Sequence, residues 1–103
     1  MLRHIVLSTF KSEATEERRQ AWRDALLAMC EASSEILSFT LGANVGSGPT
    51  HHDSALVADF HDINSFRRYV GSAAHKAYVE DHAGHVVGGM AAIEHLIRPL
   101  RRP

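Results

Sequence analysis

Ile36-Leu-Ser-Phe-Thr-Leu-Gly-Ala-Asn-Val-Gly-Ser-Gly-Pro-Thr-His-His-Asp-Ser-Ala-Leu-Val-Ala-Asp-Phe60 is the stretch on which the fold turns. Its first part alternates. Leu37, Phe39, Leu41, Ala43 and Val45 stand against Ser38, Thr40, Gly42 and Asn44, the period-two pattern of a strand over residues 36–45. Gly46-Ser-Gly-Pro-Thr50 has the residues of a turn. Residues 53–60, ending in Leu56-Val57-Ala58-Asp59-Phe60, read as the next strand. Two successive strands with a short connection pair antiparallel, so the flanking elements decide the architecture.

Upstream, residues 2–10 (Leu-Arg-His-Ile-Val-Leu-Ser-Thr-Phe) are rich in β-branched and apolar types and read as a strand. Thr15 suits a helix N-cap, with Glu16 and Glu17 at the positive end of the helix dipole. Trp22, Ala25, Leu26 and Met29 then fall at i, i+3, i+4 and i+7, which predicts a helix over 15–32. Downstream, Asp62 can cap a second helix with Phe66, Tyr69 and Val70 inward. Gly71 interrupts it, and helical pattern resumes through Ala77, Tyr78 and Val79. Gly84, Gly88 and Gly89 loosen the approach to a final strand at about 90–98, before a tail from Pro99 to Pro103.

The order is β-α-β-β-α-β. It predicts an α+β, ferredoxin-like βαββαβ domain over 1–103, a four-stranded antiparallel sheet with helices on one face. Strand one puts Val6 and Phe10 on one face and Ile5 and Leu7 on the other. The last strand separates Met90, Ala92 and Leu96 from Ala91, Ile93 and Ile97. Helices cover only one side, so the second apolar face needs its own cover. A second copy of the chain is the simplest source, which predicts a homodimer joined through Ile5, Leu7, Ile93 and Ile97, a dimeric α/β barrel.

Composition narrows the function classes. The 103 residues suit one domain, and 45% apolar content supports a packed core. Eleven basic and twelve acidic side chains nearly balance, which argues against nucleic acid as a partner. The one basic cluster, Arg98, Arg101 and Arg102, is short. A lone Cys30 forms no internal disulfide, and no apolar run approaches the roughly 20 residues of a membrane span, so a cytoplasmic protein is expected. Eight histidines are many for this length.

His4-Ile-Val-Leu7, Phe10-Lys11, Leu56-Val57-Ala58-Asp59-Phe60 and the segment from Phe66 and Tyr69 to Ala74-His75 resemble the stress-responsive A/B barrel (Dabb) family across essentially the whole chain. The family's usual His-Pro-Ala-His reads Ser72-Ala73-Ala74-His75 here. The resemblance implies a homodimeric barrel rather than a defined reaction. A few members are cofactor-free enzymes, among them a plant polyketide cyclase that closes a ring by aldol chemistry. It implies catalytic roles for Tyr69 and His75, and pocket contacts from His4 and Glu94. The family enzyme's third-strand histidine falls on Ser54, with His52 a stand-in of the same strand parity.

The residue types suit that chemistry. Histidine titrates near neutrality and can take a proton beside a carbonyl, while a tyrosine hydroxyl can donate to the developing oxyanion. On an unbroken helix Tyr69 and His75 would stand about 120° apart, so they converge only if the helix breaks, which Gly71 permits. His4 and Glu94 share strand parity within an apolar face, and a Glu94 bond to His4 or His75 would orient an imidazole as a base. A core tyrosine and a buried structural His4–Glu94 pair account for the same residues without catalysis.

His75, His82 and His85 invite a metal reading, but zinc-site spacing and cysteine pairs are missing, so no metal is expected. No histidine is singled out as a haem ligand, and no cofactor is expected. Two functions stand open. One is a cofactor-independent cyclase, lyase or isomerase acting on a small carbonyl or polyketide-like compound. The other is a non-catalytic, stress-associated dimer that binds a small molecule in the same cavity.

Overall fold

In a computed structural model that describes residues 1–98, the first strand runs through the middle of the sheet. The elements are β1 (Leu2–Phe10), α1 (Glu16–Ala32), β2 (Ile36–Ala43), β3 (Ser54–Phe60), α2 (Ile63–Val70), α3 (Ala73–Tyr78), a π turn (Val79–Ala83), α4 (Gly84–Val86) and β4 (Val87–Leu96). The four strands pair antiparallel throughout in the order β2-β3-β1-β4, so the fold is the expected ferredoxin-like α+β arrangement. The tail from Pro99 to Pro103, with Arg101 and Arg102, lies outside the described residues.

Caps set the helix starts. The Thr15 hydroxyl accepts from the Arg18 amide, and the Asp62 carboxylate accepts from the Ser65 amide at 2.8 Å. Helix α1 buries Trp22, Leu26 and Cys30 against Leu56 and Val86. A neighbouring cluster joins Leu2, Ala58, Phe60 and Tyr69. Each leucine, valine or phenylalanine among them contributes roughly 1.5–3 kcal/mol when taken from water.

Register fixes the faces. β1 pairs His4 with Ala58 and Glu94, Val6 with Leu56 and Ala92, and Ser8 with Ser54 and Met90. All of these look toward the helices. Ile5, Leu7, Val57 and Ile93 look the other way, where no helix packs, and Ile93 is 56% exposed. At one end of that outer face Arg3 grips Asp59 with two bonds of 2.8 and 3.0 Å, and the Ser38 hydroxyl donates to the same carboxylate.

Several expectations shift. β2 pairs Ile36 with Phe60 but Ser38 with Asp59, so Leu37 is bulged out of register. Ile36 packs on the core in its place and Leu37 is 44% exposed. Val45 lies past the end of β2 in solvent. The final strand starts at Val87, not residue 90, and takes in Gly88 and Gly89. Val70 keeps to the inner side of α2 with Phe66 and Tyr69 but is 42% exposed, while Ser65 and Tyr69 are buried. No helix among the described residues is long and apolar enough to cross a membrane.

Candidate functional site

The helix-facing side of the sheet does not close fully against the helices. It leaves a cavity of about 620 Å³ walled by β1, β3 and β4 on one side and by α1 to α3 on the other. Most of its wall is apolar, with Val6, Leu26, Leu56 and Phe66 prominent. The polar groups that reach it include His4, Glu94, Tyr69, His75, Ser54 and Tyr78.

His4 comes from the middle of β1 and packs its ring against Phe66, with centroids 4.8 Å apart. Its Nδ1 lies 2.9 Å from Glu94 Oε2, so the carboxylate accepts from the ring. Of the two pairings open for Glu94, the structure makes the one with His4. The cross-strand match of residues 4 and 94 brings this about.

His75 and Tyr69 converge because the helix breaks between them. The Ser72 hydroxyl donates to the Tyr69 carbonyl at 2.7 Å and accepts from the His75 amide at 3.2 Å, ending α2 and capping α3 together. Gly71 sits at φ −82°, so the freedom it supplies is one of space. A Cβ there would come within 3.2 Å of the Arg67 carbonyl. The two rings meet edge-on at 5.0 Å.

Burial, and then the neighbouring His4, holds the His75 imidazole below its usual titration range, which keeps it neutral at pH 7. Burial pushes the Tyr69 phenol well above its ordinary value, with Cys30 and Tyr78 adding to the shift. Tyr69 is therefore a hydroxyl donor and not a phenolate.

His52 is a correction. It lies outside β3 and off the cavity wall, with its Nδ1 2.8 Å from the Thr9 hydroxyl. Ser54, the first residue of β3, lines the cavity instead. His82 and His85 border a separate cleft with Arg18 and Asp81, away from His75. Among the described residues no three His, Cys, Asp or Glu side chains gather as a metal site.

Sequence reading passed over Tyr78 and Trp22 as cavity groups. The Tyr78 hydroxyl accepts from the Trp22 indole at 2.8 Å, and both residues line the cavity. The available signal was spacing, since Tyr78 is i+3 from His75 on the same helix face.

A four-stranded antiparallel sheet with helices on one face, and a mostly apolar cavity between them, defines a ferredoxin-like α+β protein with room for a small molecule. Residues 2–96 match the stress-responsive A/B barrel domain, Dabb, and the chain belongs to that family. No curated protein matches the sequence. A dimeric ferredoxin-like protein of unknown function from Thermobifida fusca is 25% identical, with a TM-score of 0.81 over 93% of this chain and 90% of that one. A Dabb family protein from Mesorhizobium loti is 18% identical at a TM-score of 0.81, covering 95% and 97%. A hydroxynitrile lyase from Passiflora edulis is 14% identical at a TM-score of 0.85, covering 98% and 96%.

Proposed function

We propose that the chain is a cofactor-independent acid/base enzyme of the lyase, cyclase or isomerase kind, acting on a small carbonyl compound held in the cavity. The observation that carries this reading is the meeting of neutral His75, the protonated Tyr69 hydroxyl and the His4–Glu94 pair on one largely apolar cavity. The imidazole of His75 takes a proton from the carbon beside the carbonyl, and the C–H electron pair moves into the enolate. Tyr69 donates its hydroxyl to the oxygen on which that charge collects. His75, now protonated, returns the proton at the end of the step. His4, oriented by Glu94, and Ser54 position the substrate. The apolar wall keeps water from the enolate.

The working unit of this reading is a homodimer. The bare outer face with Ile5, Leu7 and Ile93 supports it, as do relatives described as dimeric. The single buried Cys30 suits the reducing cytoplasm. One domain over residues 1–103 completes the unit.

A second reading is a dimer that binds a small carbonyl compound without converting it. The displacement of His52 toward Thr9, which leaves Ser54 at the third-strand position, favours it. Hydrogen–deuterium exchange separates the two. Acetophenone in heavy water, followed by proton NMR, should lose its methyl protons faster with the protein present, and His75→Ala should abolish the gain. Binding of acetophenone without any acceleration by the wild-type chain overturns the enzyme in favour of the binding protein.

A further inference from the structure

We propose that Tyr78, positioned by Trp22, is a second hydrogen-bond donor in the cavity and holds the oxygen of an apolar carbonyl or phenolic ligand. The assignment rests on the cavity being a ligand site, and it names a group that binds there. It follows from how the Tyr78 hydroxyl is already used. An indole nitrogen can only donate, so the 2.8 Å contact occupies the Tyr78 oxygen as acceptor. The phenolic proton must then point elsewhere. Among the described residues no acceptor meets it, while the side chain lines the cavity. A largely buried O–H without an acceptor is costly, and a ligand oxygen supplies what the wall lacks.

Two further features agree. Donation from the indole draws charge from the phenol oxygen and strengthens the hydroxyl as a donor. Burial raises its pKa to about 12, with Trp22 acting in the opposite direction, so the proton stays on the oxygen. The chain also changes helix type directly after this residue. Gly84 donates its amide to the Val79 carbonyl, five residues back, and a Cβ on Gly84 would stand 3.0 Å from that carbonyl. Such π turns are rare and concentrate at functional sites. This one follows Tyr78 immediately and turns Val79 and Ala83 to the cavity. The His75 ring lies edge-on to Tyr69 at 5.0 Å and to Tyr78 at 6.0 Å, so the two tyrosine rings flank the imidazole on the cavity wall.

The chain has one tryptophan, so its indole N–H gives one signal in a nitrogen–proton NMR spectrum. Acetophenone should shift that signal saturably in the wild-type protein. Ethylbenzene, of similar shape without the oxygen, should bind with a much smaller indole shift. Tyr78→Phe should weaken acetophenone about three- to tenfold and leave ethylbenzene within about twofold. The assignment is overturned if acetophenone shifts His75 and Phe66 signals but not the indole, or if Tyr78→Phe binds both probes as the wild type does. If neither probe moves any cavity signal, the ligand site falls and the donor role with it. The wild-type indole response decides the matter even where Tyr78→Phe does not fold.

Discussion

His4 and Glu94 are paired residues of β1 and β4, and their side chains complete the pairing with a 2.9 Å bond from Nδ1 to Oε2. An acidic partner on Nδ1 fixes the tautomer and leaves Nε2 outside that bond. His4 is buried and its partner half-buried, so removing the carboxylate strands a ring nitrogen inside the protein. Glu94→Ala should therefore lower stability by about 1–2 kcal/mol, and Glu94→Gln, which still offers an acceptor, should recover most of it. Urea unfolding of the three proteins checks this. Equal midpoints would show that the pair adds nothing to stability.

His75 is the residue on which the proposed chemistry depends. His75→Ala should slow acetophenone exchange by about 10²–10⁴-fold with the fold intact, and Tyr69→Phe should cost less because one hydrogen bond is lost. Because burial lowers the His75 pKa, the acid limb of the pH–rate profile should lie below about 6.5, the value of a free imidazole. A limb above that value would assign the proton transfer to another group.

Arg3 and Asp59 form a two-bond ion pair on the outer face. The hydrogen bonds from Arg3 hold the Asp59 carboxyl below the usual carboxylate range, against the opposing effect of burial. In the unfolded chain the same group titrates near about 3.9. The pair's contribution is thus present above about pH 4 and is lost as pH falls toward the folded value. Wild type should lose stability steeply below pH 4, while Asp59→Asn should be weaker at pH 7 and flatter in acid. Thermal unfolding at several pH values shows whether the slopes differ.

Ile93 sits on the uncovered sheet face, on the edge strand β4 opposite Ile5, and is 56% exposed. A charge there cannot be desolvated between two apolar sheets without heavy cost. Ile93→Asp should convert a dimer to a folded monomer in analytical ultracentrifugation. A wild-type monomer at micromolar concentration would remove the proposed interface altogether.

The sequence made the sheet legible because strand parity is a local property. The even-numbered residues His4, Val6 and Ser8 share a face whatever the rest of the chain does, and Glu94 joins them once the ends pair in register. Leu37 escaped because a bulge shifts parity by one, and no residue type there announces it. His52 escaped for a related reason: parity was carried past the first residue of β3 into a loop that does not obey it. The meeting of Tyr69 and His75 followed from a break that Gly71 advertised, although Ser72 makes the new start. Tyr78 was hidden because its importance lies in a contact with Trp22 across 56 residues of chain.

The π turn from Val79 to Ala83 carries a consequence for chain length. Its amide reaches back five residues, where an α-helix reaches back four, so the turn holds one residue more than the helix on either side of it. Deleting a single residue between Val79 and Ala83 would let the same path close as ordinary α-helix, with α3 and β4 still anchored. The cavity wall beyond Tyr78 would shorten by that residue while the sheet stayed as it is. Variation in loop length of this kind normally happens at the surface; here the fold allows it in the wall of the cavity, one residue at a time.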